Sequence, residues 1–148
     1  MVIEEEKNLS HLIYASRSEK GITEKDILDI LKFARKNNKA VNVTGMLLFD
    51  SGSFLQVLEG DEEELNKLFK TISKDKRHTD IVKIVNEAIP ERKFKDWSMG
   101  YASLSKSELM KIDGLNDFFH GSSCLTDLDE GRAKKILIAF AEGRWRLE

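Results

Sequence analysis

Two polar side chains interrupt apolar runs at positions where a plain core would carry hydrocarbon. Tyr14 lies inside LSHLIYA, and Gln56 lies inside SFLQVLEG on the same strand face as Phe54 and Leu58. A buried amide left without partners costs about 1 to 3 kcal/mol, so something polar must meet Gln56, and the Tyr14 hydroxyl makes the same demand. The two can satisfy each other, or a water, within the core. That is the plain reading of the pair; its alternative is that another polar group meets them there. Asn37 and Asn38 offer two more amides. Their ordinary role is a helix C-terminus, where asparagine tolerates the left-handed backbone. Turned into a cleft, they suit a ligand with an imide edge.

Lys74, Lys76, Arg77 and His78 make the one dense basic patch and could hold a phosphate or diphosphate, against the default of a solvated charged run. Trp97 and Met99 straddle Ser98 as a strand begins, a pairing that is most often core packing. No metal site is expected: Cys124 is the single cysteine, and His11, His78 and His120 stand far apart without ligand spacing.

The elements that must position these residues follow from periodicity. Leu9 to Ala15 alternate as a first strand, and after the polar SRSEKG turn Thr23 and Asp26 have the spacing of a capping box. Ile27, Ile30, Leu31 and Ala34 then recur on one helical face, and the helix is expected to stop at Asn37 and Asn38. VTGMLLFD and SFLQVLEG, separated by Ser51 and Gly52, read as a hairpin. Asp61 opens a second helix with Leu65, Leu68, Phe69 and Ile72 on one face. A fourth strand spans Ile81 to Ala88 before Pro90, and a fifth runs from Ser98 to Leu104. The order β-α-β-β-α-β-β predicts an α+β fold: a ferredoxin-like, antiparallel-rich five-stranded sheet with two helices on one face.

The stretch after residue 104 reads as a helical extension, with a short helix over SELMKIDGL and a longer one from about Thr126 to Arg144. Leu128, Ala133, Ile136, Leu137 and Phe140 form its apolar stripe. Leu55 and Val57 are as apolar as Phe54 and Leu58 but out of phase with them, so the second sheet face also needs covering. The C-terminal helices are the expected cover, with a subunit interface as the rival. Residues 1–104 and 105–148 are therefore read as a core domain and an extension for output or oligomerisation.

Composition narrows the function classes. The 148 residues suit one domain of roughly 100 to 200. With 41% hydrophobic and 34% charged residues the chain reads as a soluble globular protein, not a disordered one. A net charge of −2 supplies no field for a polyanion, so nucleic acid is not expected as a main partner. The longest apolar run, Ile136 to Ala141, falls far short of the ~20 residues that span a bilayer. The opening MVIEEEKN is acidic where a signal peptide is basic, so a cytoplasmic location with no membrane partner is expected.

LIYAS, KNNKAVNVTGMLLF, FLQVLEG, KDKRH and WSMGY, in this order and spacing, resemble the BLUF family of blue-light sensors that use flavin. The likeness covers roughly residues 9 to 103 and implies a five-stranded sheet whose two helices hold a flavin between them. The flavin is usually FAD, with FMN or riboflavin as alternatives. By this resemblance Tyr14 is the light-driven electron donor, and Gln56 is the amide between that tyrosine and the flavin. Asn38 would bind the polar edge of the isoalloxazine ring, with Asn37 close by, where some relatives carry histidine. Ile30 and Phe54 would be apolar walls; Arg77, Lys76 and His78 would meet phosphates; Trp97 and Met99 would relay the signal.

The expected function is a non-enzymatic photoreceptor. About 45 residues beyond the likeness are too few for a cyclase or phosphodiesterase domain, so output is expected through a separate signalling protein, with a homo-oligomer also expected. One rival is a cofactor-free ferredoxin-like interaction module, which would be colourless. A second is a flavin-dependent oxidoreductase, disfavoured because the chain has no G-x-G-x-x-G fingerprint and no evident acid and base pair.

Overall fold

Local chemistry sets where each element begins. Thr23 caps the first helix: its hydroxyl accepts the Asp26 N–H at 3.2 Å, while the Asp26 carboxylate accepts the Thr23 N–H at 2.9 Å, a complete capping box. Asp61 does the same for the second helix, accepting the N–H groups of Glu63 and Glu64. Gly52, at φ +93°, turns the hairpin between them in a backbone region that side chains disfavour. The computed structural model describes residues 8–18, 21–50, 52–75, 78–95, 99–103 and 128–141.

In chain order the elements are β1 (Leu9–Ser18), α1 (Glu24–Ala40), β2 (Thr44–Asp50), β3 (Ser53–Asp61), α2 (Glu62–Ser73), β4 (His78–Ala88), β5 (Gly100–Ser103) and α3 (Glu130–Ala141). The strands form one five-stranded sheet in the order β4-β1-β3-β2-β5. Its first four strands pair antiparallel, and β5 joins β2 in parallel. This is the α+β, ferredoxin-like arrangement with an added strand that the element order predicts.

Register sorts the side chains into two faces. Tyr14 lies opposite Gln56, and Gln56 opposite Leu47, across three adjacent strands. Tyr14 and Leu47, with Leu12, Phe54 and Leu58, pack against Ile27 and Leu31 of α1 and Leu65 of α2, so both helices cover this face. Ile13, Val57 and Met46, then Ala15, Leu55 and Leu48, line the opposite face and are also buried. Helix α3 lies at the β4 side of this second face, where Lys134 pairs with Glu87 at 2.7 Å. Its Ala133, Ile136 and Leu137, with Leu128 before it, are buried, as expected of a covering helix.

The structure moves several boundaries. Helix α1 does not stop at Asn37 and Asn38 but continues to Ala40. The left-handed residue that ends it is Asn42, at φ 55°, and the Val41 and Val43 N–H groups both close onto the Asn38 carbonyl. Strand β4 begins at His78, three residues ahead of the expected Ile81, and α3 begins at Glu130, with residues 128 and 129 outside it, later than the expected Thr126; its expected end at Arg144 lies outside the described residues. The expected helix over SELMKIDGL lies outside the described residues.

Candidate functional site

Between α1, α2 and the sheet lies a cleft, concave and mostly apolar in its lining as small-molecule sites are. Ile30, Phe33 and Ala34 of α1, Leu68 and Ile72 of α2, and Leu47 and Phe54 of the sheet make its apolar walls. The polar groups lining it are Tyr14, Ser16, Asn37, Asn38, Gln56, Thr71 and Asp75. Asn38 is 2% exposed and Gln56 6% exposed, so their amides lie within the protein. A hydrocarbon slot lined by three amide-bearing residues matches a planar aromatic ligand that has one edge of alternating donors and acceptors. An isoalloxazine ring has this character, and the residues present fit it.

Tyr14 is held by β1 in the middle of the sheet, and the Phe69 ring of α2 meets it edge to face at 5.4 Å. Lys83, the neighbour of Tyr14 on β4, places its ammonium over the Phe69 ring, 4.7 Å from the centroid. Burial first, and then the Asp75 carboxylate, push the Tyr14 phenol far above its ordinary value of 10.0. The hydroxyl therefore keeps its proton at any working pH.

Gln56 points its Nε2–H at the Met99 sulfur, 3.6 Å away. Arg35 of α1 donates through Nε to the main-chain carbonyl of the same Met99 at 3.0 Å. Met99 is itself buried in the core beneath the helices, which joins it to the cleft floor.

The cleft brings together Tyr14, Ile30, Asn37, Asn38, Phe54 and Gln56, six of the residues singled out in the sequence. Lys76, Arg77 and Trp97 lie outside the described residues, as does the side chain of His78, whose backbone starts β4. The sequence reading passed over Phe33, Thr71 and Asp75, which also line the cleft, and Arg35. Phe33 is 54% exposed and breaks the apolar stripe of α1, a signal that could have marked it as a cleft-mouth residue.

Glu59, fully buried on the opposite sheet face, was missed as well. Its carboxylate accepts from the Thr44 hydroxyl at 3.0 Å and from the N–H groups of Lys93 and Phe94 at 2.7 and 3.0 Å. Arg92 closes this network, donating to the Thr44 hydroxyl and to the carbonyls of Glu59 and Asn42. The connection leaving β4 is thereby fastened to the sheet. Among the described residues no group of three His, Cys, Asp or Glu could hold a metal ion, and no helix is long and apolar enough to cross a membrane.

Comparison with known proteins agrees with this geometry. The chain is 36% identical over 86 residues to the blue light- and temperature-regulated antirepressor BluF of Escherichia coli (strain K12), covering 58% of this chain and 21% of that protein. It is 31% identical over 99 residues to the photoactivated adenylate cyclase subunit beta of Euglena longa, covering 66% of this chain and 12% of that one. The chain thus spans about a fifth or less of these curated relatives.

Among solved structures, the dark-state BLUF protein BlrB superposes with a TM-score of 0.74 at 30% identity, covering 91% of this chain and 96% of that one. The ground state of BlsA superposes with a TM-score of 0.81 at 26% identity, covering 95% and 91%. The family model described as sensors of blue-light using FAD matches residues 9–100. With more than half of its length matched in this way, the chain belongs to the BLUF family.

Proposed function

We propose that FAD, or FMN or riboflavin in its place, binds between α1 and α2, and that Tyr14 and Gln56 carry the light response. The observation behind this reading is that the two residues face each other across β1 and β3 at an apolar cleft that also receives the Asn38 amide. A bound flavin supplies blue-light absorption and, once excited, a strong one-electron oxidant. Tyr14 then serves as electron donor, and its protonated, buried phenol has a proton to release with the electron. Gln56 would pass that proton between Tyr14 and the flavin, and back as the electron returns to Tyr14, and would be left reoriented, because its two amide ends differ in donor and acceptor character. Such an exchange of hydrogen bonds is worth about 1 to 3 kcal/mol, enough to shift a two-state equilibrium without unfolding the domain.

Asn38, with Asn37 beside it, would hold the polar edge of the ring, and Ile30 and Phe54 would exclude water from its faces. Arg77, with Lys76 and His78, would meet the phosphates. Met99 and Trp97 would carry the change away from Gln56. Residues 1–104 form the photosensory part on this reading, and residues 105–148 the extension that meets a separate signalling protein in the cytoplasm and builds a homo-oligomer.

The deciding experiment is an absorption spectrum of freshly purified protein in darkness, after blue illumination, and during return to darkness. A flavin spectrum with a small reversible red shift is expected. Flavin without a shift would leave a binding protein or an enzyme. A protein that takes up no flavin on reconstitution with FAD would favour the bare interaction module.

A further inference from the structure

Met99 is tied at its main chain and at its side chain. Arg35 holds its carbonyl and the Gln56 amide meets its sulfur. The next residue begins β5 (Gly100–Ser103), which among the described residues lies at the sheet edge and pairs only with Met46 to Phe49 of β2. A short edge strand with one partner is among the first parts of a sheet to open. Upstream the chain is fixed by Arg92 and by the Glu59 carboxylate. The segment entering β5 is therefore fastened at its start by that network and at its end by Arg35.

We propose that Arg35 is a positioning residue that sets how far a change at Gln56 travels into β5. The inference rests on the reading that Gln56 reorients in blue light. A sulfur accepts from an amide N–H but gains nothing from an amide oxygen, so a reoriented Gln56 withdraws its tie to Met99. What then still holds Met99, beside the β2 ladder that begins at the next residue, is the charge-assisted bond from Arg35 to its carbonyl. Arg35 belongs to the same helix as Asn37 and Asn38. One element thus lines the cleft and restrains the strand through which the change leaves it.

The test is amide hydrogen exchange over Met99 to Ser103 in full-length, flavin-loaded Arg35→Ala and Arg35→Lys, in darkness and in blue light, beside the absorption spectrum. Arg35→Ala should keep its flavin and its red shift. Its dark exchange over Met99 to Ser103 should rise at least tenfold, and the difference between light and dark there should shrink. Arg35→Lys should recover part of the protection, since an ammonium can donate to the same carbonyl. Unchanged exchange in β5 overturns the proposal. So does a rise spread evenly over β1 and β3, which general destabilisation would give. A wild-type protein without a light-induced shift would instead sink the photosensory reading, while the dark exchange of Arg35→Ala would still decide whether Arg35 restrains β5.

Discussion

Tyr14 differs from phenylalanine by one oxygen, and on the proposed mechanism that oxygen carries the whole response. Tyr14→Phe should fold, retain flavin and show no red-shifted state, because the packing against Phe69 needs only the ring; an intact photocycle in this variant would refute the assignment. The phenol's raised pKa adds a pH prediction. A group whose folded pKa lies above its unfolded value stabilises the fold fully below that unfolded value, near 10.0, and loses the contribution as pH rises beyond it. Alkaline unfolding above pH about 10 should therefore be milder in Tyr14→Phe than in wild type, read as the slope of stability against pH. Tyr14 and Gln56 were legible in the sequence because a polar residue in an apolar periodic pattern is a local anomaly, whereas Asn38 by itself reads as a helix end and only the resemblance points it at a ligand. Glu59 was not: its partners Arg92, Lys93 and Phe94 lie more than thirty residues away, at |i−j| of 34 and 35 for the two N–H donors. Arg35 looked like any solvated charge on a helix, since its partner Met99 is 64 residues on.

Elements were legible where their ends carry side-chain chemistry and misread where several residues could serve. Thr23 with Asp26 and Asp61 announced both helix starts. Three asparagines near the end of α1 could each supply a left-handed residue, and it is Asn42 that does so, while Asn38 stays within the helix and is buried. Gly45 shows a different constraint, one of space. An added Cβ would collide with the Val57 carbonyl oxygen, a backbone atom that cannot swing aside. Gly45→Ala should thus cost about 3 kcal/mol, the upper end for overpacking, in denaturant unfolding. The docking of α3 rests partly on Glu87, whose pKa is lowered by its hydrogen bonds to Lys134 first and His11 second. Its contribution is present above the ordinary value of 4.5 and fades as pH falls through the lower folded value. Because Glu87 is half-exposed, Glu87→Gln should cost less than about 1 kcal/mol. It should speed amide exchange in α3 at neutral pH, and wild type should approach the same behaviour only in acid. Equal exchange in the two proteins at neutral pH would show that the ion pair does not hold the helix.

At the scale of the whole molecule the sheet is a partition with a cleft on one side and α3 on the other, and the same strands serve both. On β1, Tyr14 faces the cleft while its neighbours Ile13 and Ala15 face away from it and are fully buried. A division into a photosensory part ending at residue 104 and a separate extension therefore carries an energetic condition. Leu128, Ile136 and Leu137 are almost wholly buried, and full burial of such side chains is worth about 1.5 to 3 kcal/mol each. Together they contribute roughly 5 to 9 kcal/mol as an upper estimate, comparable with the whole stability of a typical domain, about 5 to 15 kcal/mol. A chain truncated after Leu104 should consequently unfold or self-associate through the face bearing Ile13, Leu55 and Val57, even though every residue described as lining the cleft is still present. Size-exclusion chromatography with denaturant unfolding decides this. A monomer that unfolds cooperatively near the full-length midpoint would show that the extension is an appendage. Association or collapse would show that α3 is part of the core, so that a signal reaching it must act by shifting its packing, because detaching it outright would cost most of the fold's stability.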